Sequence, residues 1–408
     1  MSIEYYILIT GYILGFYMSW NIGANDVANS MASAVGAKAI TLRQAVFIAG
    51  ILNIVGATFI GSHVTNTIRK GIVSTEIFQD PHLVLIGGLS ALLAASLWVS
   101  FSTWKSLPVS TTHSIVGAMI GFGIMAGGFS VINWKNLLAV VMSWIISPVF
   151  SLVIAFLMLK TIVKLILSKE DSFARGLELS PFFMGLTFFI VVLSFLFKTP
   201  LGKTLAVSTP VALLIALILS VSLGLVGKEL LKRFLKDKGH NGTEEIFRRI
   251  QIGTSCYVAL SQGANDVANA IGPLAIIYFM VKTGSVEGTV SVPVYLLLFG
   301  GLGIACGVSM CGYRVMDTIG TKITTLSNTR GFSVDFAAAT TVLVASKLGL
   351  PVSTTHAAVG GVLGVGLARG VEAVNFRIIF KIMLYWVLTV PASAITSMAI
   401  FKILLLFL

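Results

Sequence analysis

Seven residues, Gly-Ala-Asn-Asp-Val-Ala-Asn, occur twice in this chain, at 23–29 and at 263–269, each inside a long apolar stretch. Each copy brings one carboxylate together with two amides: Asn25, Asp26 and Asn29, then Asn265, Asp266 and Asn269. A second phrase, Leu-Pro-Val-Ser-Thr-Thr-His, occurs at 107–113 and 350–356. It contributes the hydroxyls of Ser110, Thr111 and Thr112, and again those of Ser353, Thr354 and Thr355. The phrases keep their order in both halves, so the chain is an internal duplication whose identical parts are polar. Polar sequence in an apolar setting is expensive and marks a site by default.

The first phrase suits a small hard cation. Glycine and Asn-Asp-Asn weaken a helix, because these side chains compete for backbone hydrogen bonds. A break would free main-chain carbonyls, tolerated at membrane depth only beside protein or a water-filled cavity. Carboxylate, amide and carbonyl oxygens together fit sodium, with Asp26, Asn29, Asp266 and Asn269 as ligands. A raised carboxyl pKa would instead let Asp26 and Asp266 carry protons. For one copy, a helix cap explains the aspartate equally well; two identical copies favour the ion site.

The second phrase is a helix start. Proline ends what precedes it, and Ser-Thr-Thr places hydroxyls where the first N–H groups lack intrahelical partners. With the positive end of the helix dipole, that is an anion-binding arrangement. Two such starts converging could hold a tetrahedral oxyanion such as phosphate without Lys or Arg. Plain N-capping is the competing reading of each copy alone. His113 and His356 follow the hydroxyls and read as neighbours of the site.

The elements that position these groups are membrane helices. The chain has 408 residues, of which 56% are hydrophobic and 11% charged, with a mean hydropathy of +0.95. A soluble domain carries about 25% charged residues. Met1–Trp20, with Glu4 and no basic segment, reads as a first span and not as a cleaved leader. The net charge of +12 gathers between apolar runs, most densely in Lys228–Arg249. That pattern is a positive-inside loop and calls for no nucleic acid. Cys256, Cys306 and Cys311 form no metal-binding spacing, and no phosphate-binding Walker loop or catalytic cluster is present. A membrane enzyme and a resident cofactor are therefore not expected. An anion channel would have no use for two buried aspartates beside its anion.

The expected fold is an all-α polytopic membrane protein of about 12 transmembrane or re-entrant helical segments, forming two inverted-topology repeats with broken helices. Residues 1–160 form the first repeat, 161–227 two linking helices, 228–249 a basic cytoplasmic loop and 250–408 the second repeat. Echoes support whole-half duplication: Gly61, Val64, Thr67 and Ile68 match Gly312, Val315, Thr318 and Ile319, Trp144 matches Trp386, and Pro148 matches Pro391. Seven crossings between the motif copies would invert the second repeat and put both termini outside the cell. Glycines such as Gly117, Gly121, Gly360 and Gly364 read as helix-packing positions.

The doubled phrases and the central basic loop resemble the PiT family of inorganic phosphate transporters over essentially the whole chain. The resemblance implies a secondary active transporter in the cell membrane, importing phosphate by symport with sodium or protons through alternating access. Sodium is preferred, since several neutral oxygens flank each aspartate. A sulfate-transporting branch is similar. It also implies that Asn25, Ser110, Thr111, Thr112, Asn265, Ser353, Thr354 and Thr355 bind phosphate while Asp26 and Asp266 anchor cations. Asn66 departs from the acidic residue of many eukaryotic members, whereas its counterpart Asp317 is acidic. Partners are phosphate, sodium and the lipid bilayer; a homodimer is common in this class, though no segment picks its interface.

Overall fold

The computed structural model describes residues 3–61, 81–199, 202, 204–235, 240–283, 292–348 and 352–407. Among these, all regular structure is helical. In chain order the principal helices are α1 (Ile3–Asp26), α2 (Ala28–Gly36), α3 (Leu42–Ile60), α4 (Pro81–Trp104), α5 (Thr111–Gly127), α6 (Trp134–Ile162), α7 (Ser172–Lys198), α8 (Thr209–Phe234), α9 (His240–Thr283), α10 (Val294–Cys311), α11 (Tyr313–Asp317), α12 (Asn328–Lys347), α13 (Thr354–Arg369) and α14 (Phe376–Phe407). Nine described helical stretches are long and apolar enough to cross a membrane. The expected polar stretch around Val64, Asn66, Thr67 and Ile68 lies outside the described residues.

Local chemistry sets the helix ends. Thr41 and Gln44 close a reciprocal capping box at the start of α3. Ser110 and Ser353 cap α5 and α13, each accepting at 3.2 Å from the backbone N–H of His113 or His356. Proline occurs inside both long outer helices, at Pro148 in α6 and Pro391 in α14.

The two halves interlock. Gly117 and Gly121 of α5 lie against the backbone of Val390 and Ala394 in α14, while Gly360 and Gly364 of α13 lie against Pro148 and Leu152 in α6. Each short helix thus packs on the long helix of the opposite half. The same exchange holds elsewhere: Gly23 of α1 meets Ile304 of α10, and Gly263 of α9 meets Asn53 of α3. Removing β-carbons lets these backbones approach directly.

The motif-bearing hairpins point in opposite directions. Gly15 lies beside Leu274, and Arg248 Nε donates to Ala39 O at 2.8 Å, so α1–α2 and α9 run antiparallel. On the first hairpin, Gly87 of α4 touches Phe122 of α5, and Gly88 touches Ile277 of α9. α5 therefore runs from the motif level towards the far end of α9. On the second hairpin, Gly361 of α13 faces Val334 of α12, and Arg369 bonds Thr325. Thr329, at the start of α12, bonds Glu244 near the beginning of α9. α13 therefore runs towards the opposite end. α5 has 17 residues and α13 has 16, about 25 Å each at 1.5 Å per residue. That falls short of the ~30 Å hydrocarbon core, and both start at buried serines, which favours re-entry over crossing.

The helix breaks differ from expectation. In the first copy the interruption is a single residue, Val27, whose backbone stays in the helical region. In the second copy α9 continues through the motif as one helix of 44 residues. Flanking close packing holds the helix despite its weak propensity. The phrase's glycines serve that packing, and its chemistry resides in side chains more than in freed carbonyls.

Candidate functional site

The two re-entrant starts meet the two Asn-Asp-Asn phrases at the centre of the bundle. Asp26 and Asp266 are 1% and 3% exposed. Thr111 Oγ1 donates to Asp26 Oδ2 at 2.6 Å, and its counterpart Thr354 Oγ1 lies 3.2 Å from Asp266 Oδ2. Each aspartate thereby joins the helix start of its own half.

The asparagines cross over. Asn29 Nδ2 donates to Thr354 Oγ1 at 3.1 Å and Thr355 Oγ1 at 2.9 Å. Asn269 Nδ2 donates to Thr111 and Thr112 Oγ1, both at 3.2 Å. Thr355 Oγ1 also reaches Asp26 Oδ1 at 3.4 Å and Val109 O at 3.1 Å. Two carboxylates, two amides and four threonines thus form one network across the halves. The sequence-expected residues Asp26, Asn29, Thr111, Thr112, Asp266, Asn269, Thr354 and Thr355 are all brought together there.

Other expected residues stand differently. Asn25 is occupied in holding the first re-entrant entry: its Nδ2 donates to Thr103 Oγ1 and Leu107 O, and Val109 N donates to its Oδ1 at 3.0 Å. Asn265 is half-buried and has no hydrogen-bond partner among the described residues; Leu350 and Pro351, the counterparts of the Asn25-bound segment, lie outside them. Ser110 and Ser353 occupy the cap positions, leaving their hydroxyl protons to point onwards. Asp317 is remote in role, paired with Lys322 at 2.8 Å on a half-exposed surface.

Behind the helix starts lies a ring stack. His113 packs on Trp144 with centroids 3.8 Å apart, His356 on Trp386 at 3.7 Å, and the imidazoles meet edge-on at 4.4 Å. His356 Nδ1 lies 3.0 Å from Trp144 O, and Trp386 Nε1 donates to Pro108 O at 3.2 Å. The paired Trp echo in the sequence pointed to these rings, but their contact across the halves was not readable from it.

Sequence reasoning also missed Asp335. Its two oxygens accept from Ser33 and Ser255, tying α12 to α2 and α9. The available signal was a lone acid in the apolar run Val334–Ala339.

The electrostatics are one-sided. Among the described residues, the buried charged side chains are Asp26, Asp266 and Asp335, with no buried Lys or Arg. Among the described residues, positive character near Asp26 and Asp266 comes from the starts of α5 and α13, roughly half a unit charge each. Such a site can hold cations on its carboxylates and an anion on its hydroxyls and N–H groups, provided both arrive together.

Residues 22–397 match the model of the phosphate transporter family. The chain belongs to the phosphate transporter family. A relative in Thermococcus kodakarensis named as a phosphate permease is 50% identical over 406 residues, covering 98% of each chain. In Arabidopsis thaliana, a chloroplastic inorganic phosphate transporter is 40% identical over 407 residues, covering 94% of this chain and 69% of its own. A solved structure titled as the sodium-dependent phosphate transporter superposes with a TM-score of 0.89 at 48% identity, covering 98% of this chain and 100% of that one. This phosphate transporter is thus a multi-pass, all-helical membrane protein and not an enzyme.

Proposed function

We propose that this transporter imports inorganic phosphate by symport with sodium, in alternating access around the central network. The observation that carries the reading is charge: the central site has two buried carboxylates and no buried cationic side chain among the described residues. A phosphate entering alone would meet like charges in a low-dielectric interior, where their repulsion is large. Sodium ions on Asp26 and Asp266 offset that charge and make anion entry favourable. The sodium-dependent solved relative supports the same coupling by analogy.

In this reading, Asp26, Asn29, Asp266 and Asn269 supply cation ligands, and the two amides also orient the threonines. Thr111, Thr112, Thr354 and Thr355 supply hydroxyls to phosphate, with Ser110 and Ser353 capping the helices that aim at it. Asn25 acts by fixing the first re-entrant entry, and Asn265, which makes no matching bond to Val352, is left as an amide for the anion. The hairpins α4–α5 and α12–α13 shift against the remaining helices to expose the site alternately. The linking helices α7 and α8 belong to the scaffold. The basic stretch 228–249, expected as a loop, is instead helical at 228–234 in α8 and at 240–249 in α9; in this reading it faces the cytoplasm.

Asp26→Asn tests the assignment. It keeps the shape and one of the two accepting oxygens while removing the charge. Sodium-driven phosphate accumulation in proteoliposomes should fall to background, with the variant's melting temperature near wild type. Wild-type accumulation would remove the cation from Asp26.

A further inference from the structure

The two phrases are identical, so residues that flank them can add asymmetry to the anion site. Gln262 immediately precedes the second phrase, where the first half has Ile22. It is 1% exposed, and among the described residues neither its Nε2 nor its Oε1 has a hydrogen-bond partner. Burying both ends of an amide without partners is costly. The side chain lines a small cavity together with Asn29 and Thr354, two members of the central network, with room for about one water-sized group. Asn29 lines the same cavity; its Nδ2 is held by Thr354 and Thr355, and its Oδ1 has no hydrogen-bond partner among the described residues.

We infer that Gln262 is a specificity-determining residue of the phosphate site, its amide reading the protonated oxygen of hydrogenphosphate. Among the ions a sodium-phosphate site would hold, the chemistry of the cavity favours this occupant. A sodium ion would satisfy Oε1 and leave the N–H₂ unmet. An unprotonated oxyanion would satisfy Nε2 and confront Oε1 and Asn29 Oδ1 with another acceptor. The P–OH of hydrogenphosphate meets both within that one space, donating its proton to an amide oxygen and accepting from Nε2. Sulfate at neutral pH carries no proton and offers only acceptors. A site with buried acceptors turned towards its ligand therefore rejects it. The inference rests on the proposed phosphate site and gives that site its discrimination between two tetrahedral anions of similar size.

The test uses the full chain in proteoliposomes, with phosphate uptake competed by arsenate and by sulfate at neutral pH. Arsenate is protonated there as phosphate is. Gln262→Leu should weaken phosphate and arsenate by ~5- to 150-fold, the span of about one to three kcal/mol for a lost buried hydrogen-bond partner. Sulfate inhibition should not weaken, so the preference for phosphate falls by the same factor. Gln262→Met, unbranched like glutamine, serves as a second variant if the leucine protein does not fold. Phosphate affinity within twofold of wild type overturns the inference, as does an equal loss for phosphate and sulfate, which would reduce Gln262 to holding a structural water. Thr111→Val with Thr354→Val separates the two readings. If that pair leaves phosphate affinity intact, the proposed site itself is wrong; if it abolishes binding while Gln262→Leu is silent, only the role of Gln262 falls.

Discussion

Replacing Gly23 by alanine should disable transport from a position that touches no ligand. A β-carbon at Gly23 would fall on the carbonyl of Ile304, 2.7 Å from its carbon and 2.8 Å from Val308 N. Ordinary contact begins near 3.4 Å, and all these neighbours are backbone. α1 and α10 must therefore separate by roughly 1 Å, an overpacking cost of about 1–3 kcal/mol. Asp26 lies one turn further along α1, with its bond to Thr111 at 2.6 Å and its contact with Thr355 already at 3.4 Å. A shift of that size removes the second contact and stretches the first. Misplacement of a working group by 1 Å costs on the order of 100-fold in rate. The assay is sodium-driven phosphate uptake in proteoliposomes beside thermal unfolding in detergent. Gly253→Ala is the control, because nothing lies within 4 Å of its added carbon. Uptake by Gly23→Ala at the wild-type rate with unchanged melting would refute the argument that close packing positions the carboxylate.

Two further predictions concern the centre. Thr111→Val with Thr354→Val removes one hydroxyl from each helix start and the bonds to Asp26 and Asp266; the phosphate Km should rise at least ~10-fold, from about 1 kcal/mol per lost bond, as read in uptake kinetics. His113→Phe keeps the stack on Trp144 and removes two buried, unpartnered ring nitrogens. It should melt at or above the wild-type temperature, whereas His113→Ala should lose about 2–5 kcal/mol through the cavity it leaves.

Much of this molecule was legible because duplication doubled the signal. Asp26, Asn29, Thr111, Thr112 and their counterparts stood out as polar residues repeated in apolar sequence, and the structure gathers all eight. What sequence could not show was their partnering. Asn29 bonds the threonines of the other half, not of its own, and only the interlocked packing of α5 on α14 and α13 on α6 makes that reach available. The breaks were overestimated at Asp266 because propensity ignores packing: Gly263 lets α9 press against Asn53, and the helix runs on. The re-entrant paths of α5 and α13 were ambiguous, since an apolar run of 16 or 17 residues reads as a short span until its start is seen buried. Gln262 and Asp335 escaped notice because neither recurs in the other half.

The central claim is coupling of phosphate to sodium at the paired aspartates, and the most direct test is radiolabelled phosphate uptake into proteoliposomes. An inward sodium gradient would be compared with a pH gradient alone, for the wild type and for Asp266→Asn. The account predicts accumulation that requires sodium in the wild type and none in the variant. Accumulation driven by the pH gradient without sodium would contradict it and make Asp26 and Asp266 proton carriers.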